Sequence, residues 1–104
     1  MTIKMNYLNL DIIKKQLRMN EDFDEDDTLL ESIGDGAESF LEAHLNESLD
    51  NIAADNGGDL PHALFTTLLL LVDYLYDNSG SGENKEVPNA FFILAAPFKK
   101  YAIG

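Results

Sequence analysis

The densest group of side chains that could do chemistry is an acidic run at residues 21–27, EDFDEDD. Calcium-binding loops place oxygen ligands at positions 1, 3, 5, 9 and 12 of a twelve-residue loop, with glycine at position 6 where the chain turns sharply. This sequence has Glu25 at position 6, and no second such loop follows. We therefore predict no metal site and interpret the run as a solvated turn leading into the acidic first turn of a helix. The five residues that match the ligand positions are Asn20, Asp22, Asp24, Thr28 and Glu31.

The two histidines and the many carboxylates do not form a recognisable catalytic group. Neither His44 nor His62 has a nucleophile, a metal motif or a phosphate-binding loop nearby in the sequence. Cysteine is absent, which excludes thiol catalysis and zinc-thiolate sites. We predict that the protein is not an enzyme, that it has no catalytic residues and no cofactor, and that His44 borders the core while His62 is exposed.

The charge balance restricts the class of partner. Nineteen acidic and seven basic residues give a formal net charge of -12. Binding to a phosphate backbone draws its affinity from lysine and arginine, so sequence-specific nucleic-acid recognition is not expected. A basic partner, mimicry of DNA, and a surface that DNA passes without sticking stay open. The absence of cysteine and of a long apolar N-terminal region favours an intracellular, reducing compartment.

A second chemically distinctive group lies at the C-terminal end, where aromatic and basic residues alternate on an otherwise acidic chain. The group consists of Phe98, Lys99, Lys100, Tyr101 and Ile103. Aromatic side chains beside cations are typical of protein interfaces, so these residues are candidates for contact with a neighbouring subunit or partner. The alternative is a last turn that packs on the core while its lysines stay solvated.

Helices must position these groups, and the central one is predicted at residues 60–78. Apolar side chains recur there in two rows at helical spacing, so most sides of this helix must be covered. The longest unbroken apolar segment covers only residues 68–72, which favours a core helix over a membrane span.

Periodicity also predicts amphipathic helices at residues 11–18 and 26–45 and a short helix at 90–96. The predicted apolar stripe of the helix at 26–45 consists of Leu30, Ile33, Ala37, Phe40, Leu41 and Leu45. Gly34 and Gly36 lie inside the predicted helix at 26–45, where each glycine lowers helix stability by up to about 1 kcal/mol relative to alanine. We expect close approach of a neighbouring helix to offset this loss. Turn residues mark 46–59 as a polar loop. The prediction is an all-α fold: one domain over residues 1–104 with about four helices around the central one, an N-terminal arm at 1–9, a flexible loop at 79–87 and a tail at 97–104. Glu83 and Lys85 in that loop are further candidate interface residues.

Three segments follow one another over almost the whole chain. The first consists of residues 10–18 followed by 22–30, and the second of residues 60–61, 69–72 and 76–78. The third consists of residues 87–88, Leu94 and residues 96–99. Each segment is generic alone, but their succession in a chain of this length resembles the small head-to-tail connector (head-completion adaptor) proteins of tailed bacteriophages and prophages. The resemblance implies an all-helical structural subunit made in the bacterial host cytoplasm and located in the virion at the head–tail junction.

The same resemblance implies partners. The subunit would form a homo-oligomeric ring beneath the portal protein, complete the head, and dock a tail-side stopper or tail-completion protein, with no membrane involved. DNA would pass nearby without sequence-specific binding, and acidic side chains facing the channel would repel it. Candidate channel-facing acids are Asp22, Asp24, Glu25 and Asp26. The competing class is an acidic DNA mimic or other protein-binding inhibitor, which needs carboxylates at phosphate-like spacing along one face, whereas these cluster in loops and at helix starts.

Overall fold

Helices account for most of the chain. The computed structural model describes residues 7–20, 22, 24–81 and 86–99, and within these ranges there is no strand. The predicted all-α fold is confirmed. The helices are α1 (Leu10–Gln16), α2 (Asp27–Leu45), α3 (Leu49–Asp55), α4 (His62–Ser81) and α5 (Asn89–Ala95), and a 3₁₀ turn (Ala96–Phe98) follows α5.

Helix α4 lies at the centre of the packing, as its two apolar rows predict. It contacts α2, α5 and α1, and its side chains at Leu64, Leu68 and Val72 are fully buried. Thr67 is also buried, and its hydroxyl donates a hydrogen bond of 2.7 Å to the Ala63 carbonyl, so no polar group of this side chain is left unsatisfied. Among the helices described, none is long and apolar enough to cross a membrane.

Helix α2 faces α4 with a stripe that is mostly the predicted one. Leu30, Ala37, Leu41 and Leu45 have no exposed surface. Phe40, which we expected in the same stripe, is 42% exposed. Its direction lies on the flank of the stripe, about 100° from Leu41, so its ring reaches the edge of the core and remains partly in solvent.

Helix α1 is held by buried side chains, by an ion pair to α2 and by a hydrogen bond from Gln16 to Asp73 of α4. Ile13 is fully buried in the core. Lys14 is also largely buried, and its ammonium nitrogen lies 2.9 Å from an oxygen of Asp27, the first residue of α2. A helix of seven residues is too short to be stable alone, so this docking stabilises it.

The predicted polar loop at 46–59 is wrong in its middle, because α3 occupies Leu49–Asp55. The Ser48 hydroxyl accepts a hydrogen bond from the Asn51 amide and starts the helix, while Leu49 and Ala53 are buried beneath it. The helix ends at Asp55 with Asn56 as its C-cap, and the chain then turns through Gly57 and Gly58, whose positive φ angles of 75° and 98° suit glycine.

Two further predicted boundaries need correction. Helix α4 continues to Ser81, so the first three residues of the predicted flexible loop 79–87 belong to a helix, and 82–85 lie outside the described residues. The predicted tail 97–104 begins inside the 3₁₀ turn, and its residues 100–104 lie outside the described part.

Close packing does not explain the glycine at Gly36. A methyl group there would meet only Leu75 Cδ1, at an ordinary contact distance of 3.9 Å. Gly34 is buried, and close approach of a neighbouring helix at this position stays a prediction.

Candidate docking surfaces

One side of α2 binds the end of the N-terminal arm through a buried carboxylate. Glu38 is only 4% exposed, and its Oε2 accepts hydrogen bonds from the backbone amides of Tyr7 at 2.8 Å and Leu8 at 2.9 Å. The Tyr7 hydroxyl donates to an oxygen of Asp50 on α3 at 2.5 Å. The part of the predicted arm that is described is therefore docked on the domain, although residues 1–6 lie outside the described part.

The carboxylates around Tyr7 make this side of the molecule strongly acidic. The hydrogen bond to Asp50, partial burial, and the negative charges of Asp50, Glu38 and Glu42 together raise the pKa of Tyr7 to about 12. Each of these effects disfavours a phenolate beside existing negative charge. We call the surface formed by Tyr7, Glu38, Glu42 and Asp50 the arm surface.

The other side of α2 carries a cluster of aromatic rings shared with α5. Phe91 is fully buried, and its ring centroid lies 5.6 Å from that of Phe40 and 4.9 Å from that of His44. Phe92 lies 5.1 Å from Phe91 and 5.5 Å from His44. The rings meet edge to face or tilted, which is the favourable arrangement for aromatic pairs.

Much of this cluster is open to solvent. Phe40 is 42% exposed, Phe92 45% and Ile93 71%, and together with Leu29 these are the large apolar side chains that the described surface exposes. We call the surface of Phe40, His44 and Phe92 the aromatic face. Contiguous exposed apolar side chains of this kind mark interaction sites more often than isolated ones do.

His44 lies at the edge of the core, as predicted. Burial among the rings is the main cause that lowers its pKa, and the positive charge of Lys99 lowers it further. Both effects disfavour the imidazolium. Lys99, a predicted interface residue, is half-buried, and its charge acts on His44.

The aromatic face was not predicted from the sequence. A signal for it exists, because the four consecutive apolar residues 91–94 on one short helix point over about 300° of its circumference and cannot all enter one core. Phe91 is buried while Phe92 and Ile93 are exposed. Which of them faces the core depends on where α2 and α4 lie, which local spacing does not reveal.

Of the other predicted interface residues, Phe98 lies in the described part of the chain, and the rest lie outside it. Phe98 is half-buried and packs on the core. It also lines a groove of about 280 Å³ together with Ile52 and Pro61. The predicted residues that lie outside the described part are Glu83, Lys85, Lys100, Tyr101 and Ile103.

The predicted channel-facing acids lie on the turn that precedes α2. Asp22, Asp24 and Glu25 are exposed and Asp26 is half-buried. The Asp22 amide donates a hydrogen bond of 3.1 Å to the Asn20 side chain, which closes a local turn. Nowhere in the described ranges do three histidine or carboxylate side chains come close enough to hold a metal ion.

Comparison with protein families gives the decisive observation. The family model described as phage gp6-like head-tail connector protein matches residues 7–92. The chain belongs to the phage gp6-like head-tail connector family. This is a family of structural phage proteins and is not known as a family of enzymes, so this connector is a component of the virion that interacts with other head or tail proteins.

The match to the connector family covers the helical domain but not the C-terminal end of the chain. It begins at Tyr7, where the arm docks, and ends at Phe92, on the aromatic face. It includes the whole of α1 to α4 but not Phe98 or Lys99. A search of curated proteins and a search of solved structures each found no match.

Proposed function

We propose that this connector assembles as a homo-oligomeric ring beneath the portal protein, completes the filled head, and docks a tail-side stopper or tail-completion protein. The observation that carries the proposal is the family match, which extends over four complete helices and into the fifth. Ring assembly, portal binding and tail docking are the ways in which a structural subunit could connect a head to a tail.

The charge of the molecule supports a position beside DNA. At a formal net charge of -12, the subunit repels a phosphate backbone at short range. The acidic turn before α2 is exposed, so its carboxylates are able to face a channel. We propose that Asp22, Asp24, Glu25 and Asp26 line the path of the DNA and keep it from adhering.

Electron microscopy of portal-bearing heads tests the ring directly. Purified connector is mixed with heads that carry a portal and lack connector, and the portal vertex is imaged before and after addition. The expected result is new ring-shaped density beneath the portal. Heads without a portal are the control and should gain none. Portal vertices that stay unchanged at saturating connector would refute the proposal.

Nothing in the described part of the molecule favours the alternative of a DNA mimic. A DNA mimic must present its carboxylates to solvent in a row, whereas several carboxylates of this chain bind groups within the molecule. Glu38 binds the arm, Asp27 pairs with Lys14, and Asp73 accepts a hydrogen bond of 2.6 Å from Gln16. We therefore propose the connector function alone.

A further inference from the structure

The turn between α3 and α4 contains an asparagine that is open to chemical attack by its own backbone. The sequence has nine asparagines, and of these only Asn56 is followed by glycine, at Gly57. Asparagine is thermolabile because the backbone nitrogen of the next residue can attack its side-chain carbonyl carbon. A Cβ on the next residue shields that nitrogen, whereas glycine leaves it open. Asn56 is therefore the asparagine of this chain that is most susceptible to such attack.

The surroundings of this turn leave the attacking nitrogen accessible. Asn56, Gly57, Gly58 and Asp59 are all exposed. The Asn56 and Gly58 amides both donate to the Ala53 carbonyl, at 3.0 and 2.8 Å. The Gly57 amide between them donates to no group in the described part of the chain. A methyl group placed on Gly57 or on Gly58 would meet no atom within 4 Å, so the turn also has room to change its conformation.

The backbone of Asn56 must rotate before the attack. Its ψ angle of 34° places the Gly57 nitrogen on the side of the Asn56 amide and away from the Asn56 side chain. Two hydrogen bonds resist the rotation: the one from the Gly58 amide, and one of 2.9 Å that Asn56 Nδ2 donates to the Asp59 carbonyl. Exposed turns of this kind open far more easily than the whole domain unfolds. The turn therefore slows the reaction without preventing it.

We propose that Asn56 converts spontaneously to aspartate and isoaspartate while the connector stays folded, through attack by the Gly57 nitrogen. This nitrogen gives its proton to solvent base and bonds to Asn56 Cγ, while Nδ2 takes a proton from water and leaves as ammonia. The product is a succinimide ring, which water then opens. Addition of water at Cγ gives aspartate, and addition at the main-chain carbonyl carbon gives isoaspartate, in which the Gly57 nitrogen stays bonded to Cγ. The net reaction consumes one water and releases one ammonia.

The conversion changes the charge and the backbone of this turn. The neutral amide becomes a carboxylate that is ionised at neutral pH. The hydrogen bond to the Asp59 carbonyl loses its donor, so two oxygens face each other there. Isoaspartate also adds one carbon to the main chain. Because Asn56 lines the groove of about 280 Å³ together with Ile52, Pro61 and Phe98, the aged connector carries a new negative charge in that groove.

Mass spectrometry of the aged, folded connector tests the proposal. Purified protein is incubated at constant temperature and pH, and circular dichroism checks that it stays folded. Asn46 is the internal control, because it is exposed and lies in a left-handed conformation but precedes Glu47. Digestion after glutamate separates the two asparagines, and fragmentation assigns a mass gain of about one dalton to the residue that reacted. We expect conversion at Asn56 to be at least about tenfold faster than at Asn46.

The products identify the mechanism. Isoaspartate should form beside aspartate, and the rate should rise with pH because the Gly57 nitrogen attacks without its proton. In Asn56→Gln, where attack would need a larger ring, the more acidic species should no longer accumulate on ion exchange. Conversion at Asn56 no faster than at Asn46 would overturn the proposal. Aspartate without isoaspartate would overturn it too, since water would then have attacked the side chain directly. Conversion that occurs only in urea-unfolded protein would show that the folded turn prevents the attack, which also contradicts the proposal.

Discussion

Glu38 shows how one buried side chain fixes a segment that is distant in the sequence. Its carboxylate accepts two backbone amides from residues 30 and 31 positions away. We predict that Glu38→Ala lowers the free energy of unfolding by about 2–4 kcal/mol, because two amides lose a charged acceptor. Glu38→Gln keeps an acceptor oxygen and should cost less. Urea denaturation measures both, and Ser39→Ala, at the exposed neighbouring position, is the control. A loss no larger than that of the control would contradict this account of the arm.

His44 should make stability depend on pH in a known direction. Its pKa is lowered in the folded state, so below about pH 6.5 the unfolded chain binds more protons than the folded one. The contribution of the neutral ring is complete above that pH and is lost as the pH falls. We expect the drop in unfolding free energy between about pH 7.5 and 5.5 to be smaller in His44→Gln than in the unmodified chain.

The matched control for this pH effect is His62→Gln, which alters the exposed histidine at the start of α4. It should leave the pH dependence as it is in the unmodified chain. Equal slopes in the unmodified chain and in His44→Gln would show that the carboxylates, and not His44, control stability in this range.

At the scale of the helices, α4 determines whether the domain folds. Leu68 is fully buried at the centre of that helix. We predict that Leu68→Ala destabilises by about 3–5 kcal/mol, since it removes buried methyl groups and leaves a cavity. Thr66→Ala, at an exposed position of the same helix, should change stability by less than about 0.5 kcal/mol. Thermal melts distinguish the two, and a comparable effect of both would show that α4 is not the core helix.

Substitution by alanine should have opposite effects on stability at Gly36 and Gly57. Gly36 lies inside α2 with room for a methyl group, so Gly36→Ala should stabilise by up to about 1 kcal/mol. Gly57 lies two residues after the end of α3 with φ of 75°, where an L side chain is strained, so Gly57→Ala should destabilise by about 1 kcal/mol. Denaturant midpoints with unchanged slopes measure both effects. Destabilisation by Gly36→Ala would indicate that α2 needs the close approach expected from the sequence.

At the scale of the whole connector, the acidic turn should govern how DNA moves through the assembled ring. If Asp22, Asp24 and Glu25 line the channel as proposed, changing all three to lysine makes that surface attract phosphate. We expect slower DNA ejection from assembled particles, with recovery at high salt because the attraction is screened. Asp55→Lys with Asp59→Lys, at exposed positions at the end of α3 and in the loop before α4, is the control. Ejection at the normal rate in the triple variant would place the turn away from the DNA.

The sequence by itself determined the features that arise from neighbouring residues. Helical spacing predicted α1, α2, α4 and α5 to within a few residues, because an α-helix repeats every 3.6 residues and its apolar stripe is visible locally. The succession of generic segments indicated the connector family that the comparison confirmed. Helix α3 was missed because its seven residues show too little periodicity and its stability comes from the Ser48 cap and from burial against distant helices.

Only the tertiary structure decided which side chains are left outside. Phe40 and Leu41 look alike as apolar residues on one helix, yet one is 42% exposed and the other fully buried, because burial depends on where α4 and α5 lie. The anchoring of Tyr7 by Glu38 joins residues 31 positions apart, and no local pattern encodes it. For the same reason the aromatic face became visible only when α5 was placed against α2, since a surface made by two helices exists only after they pack.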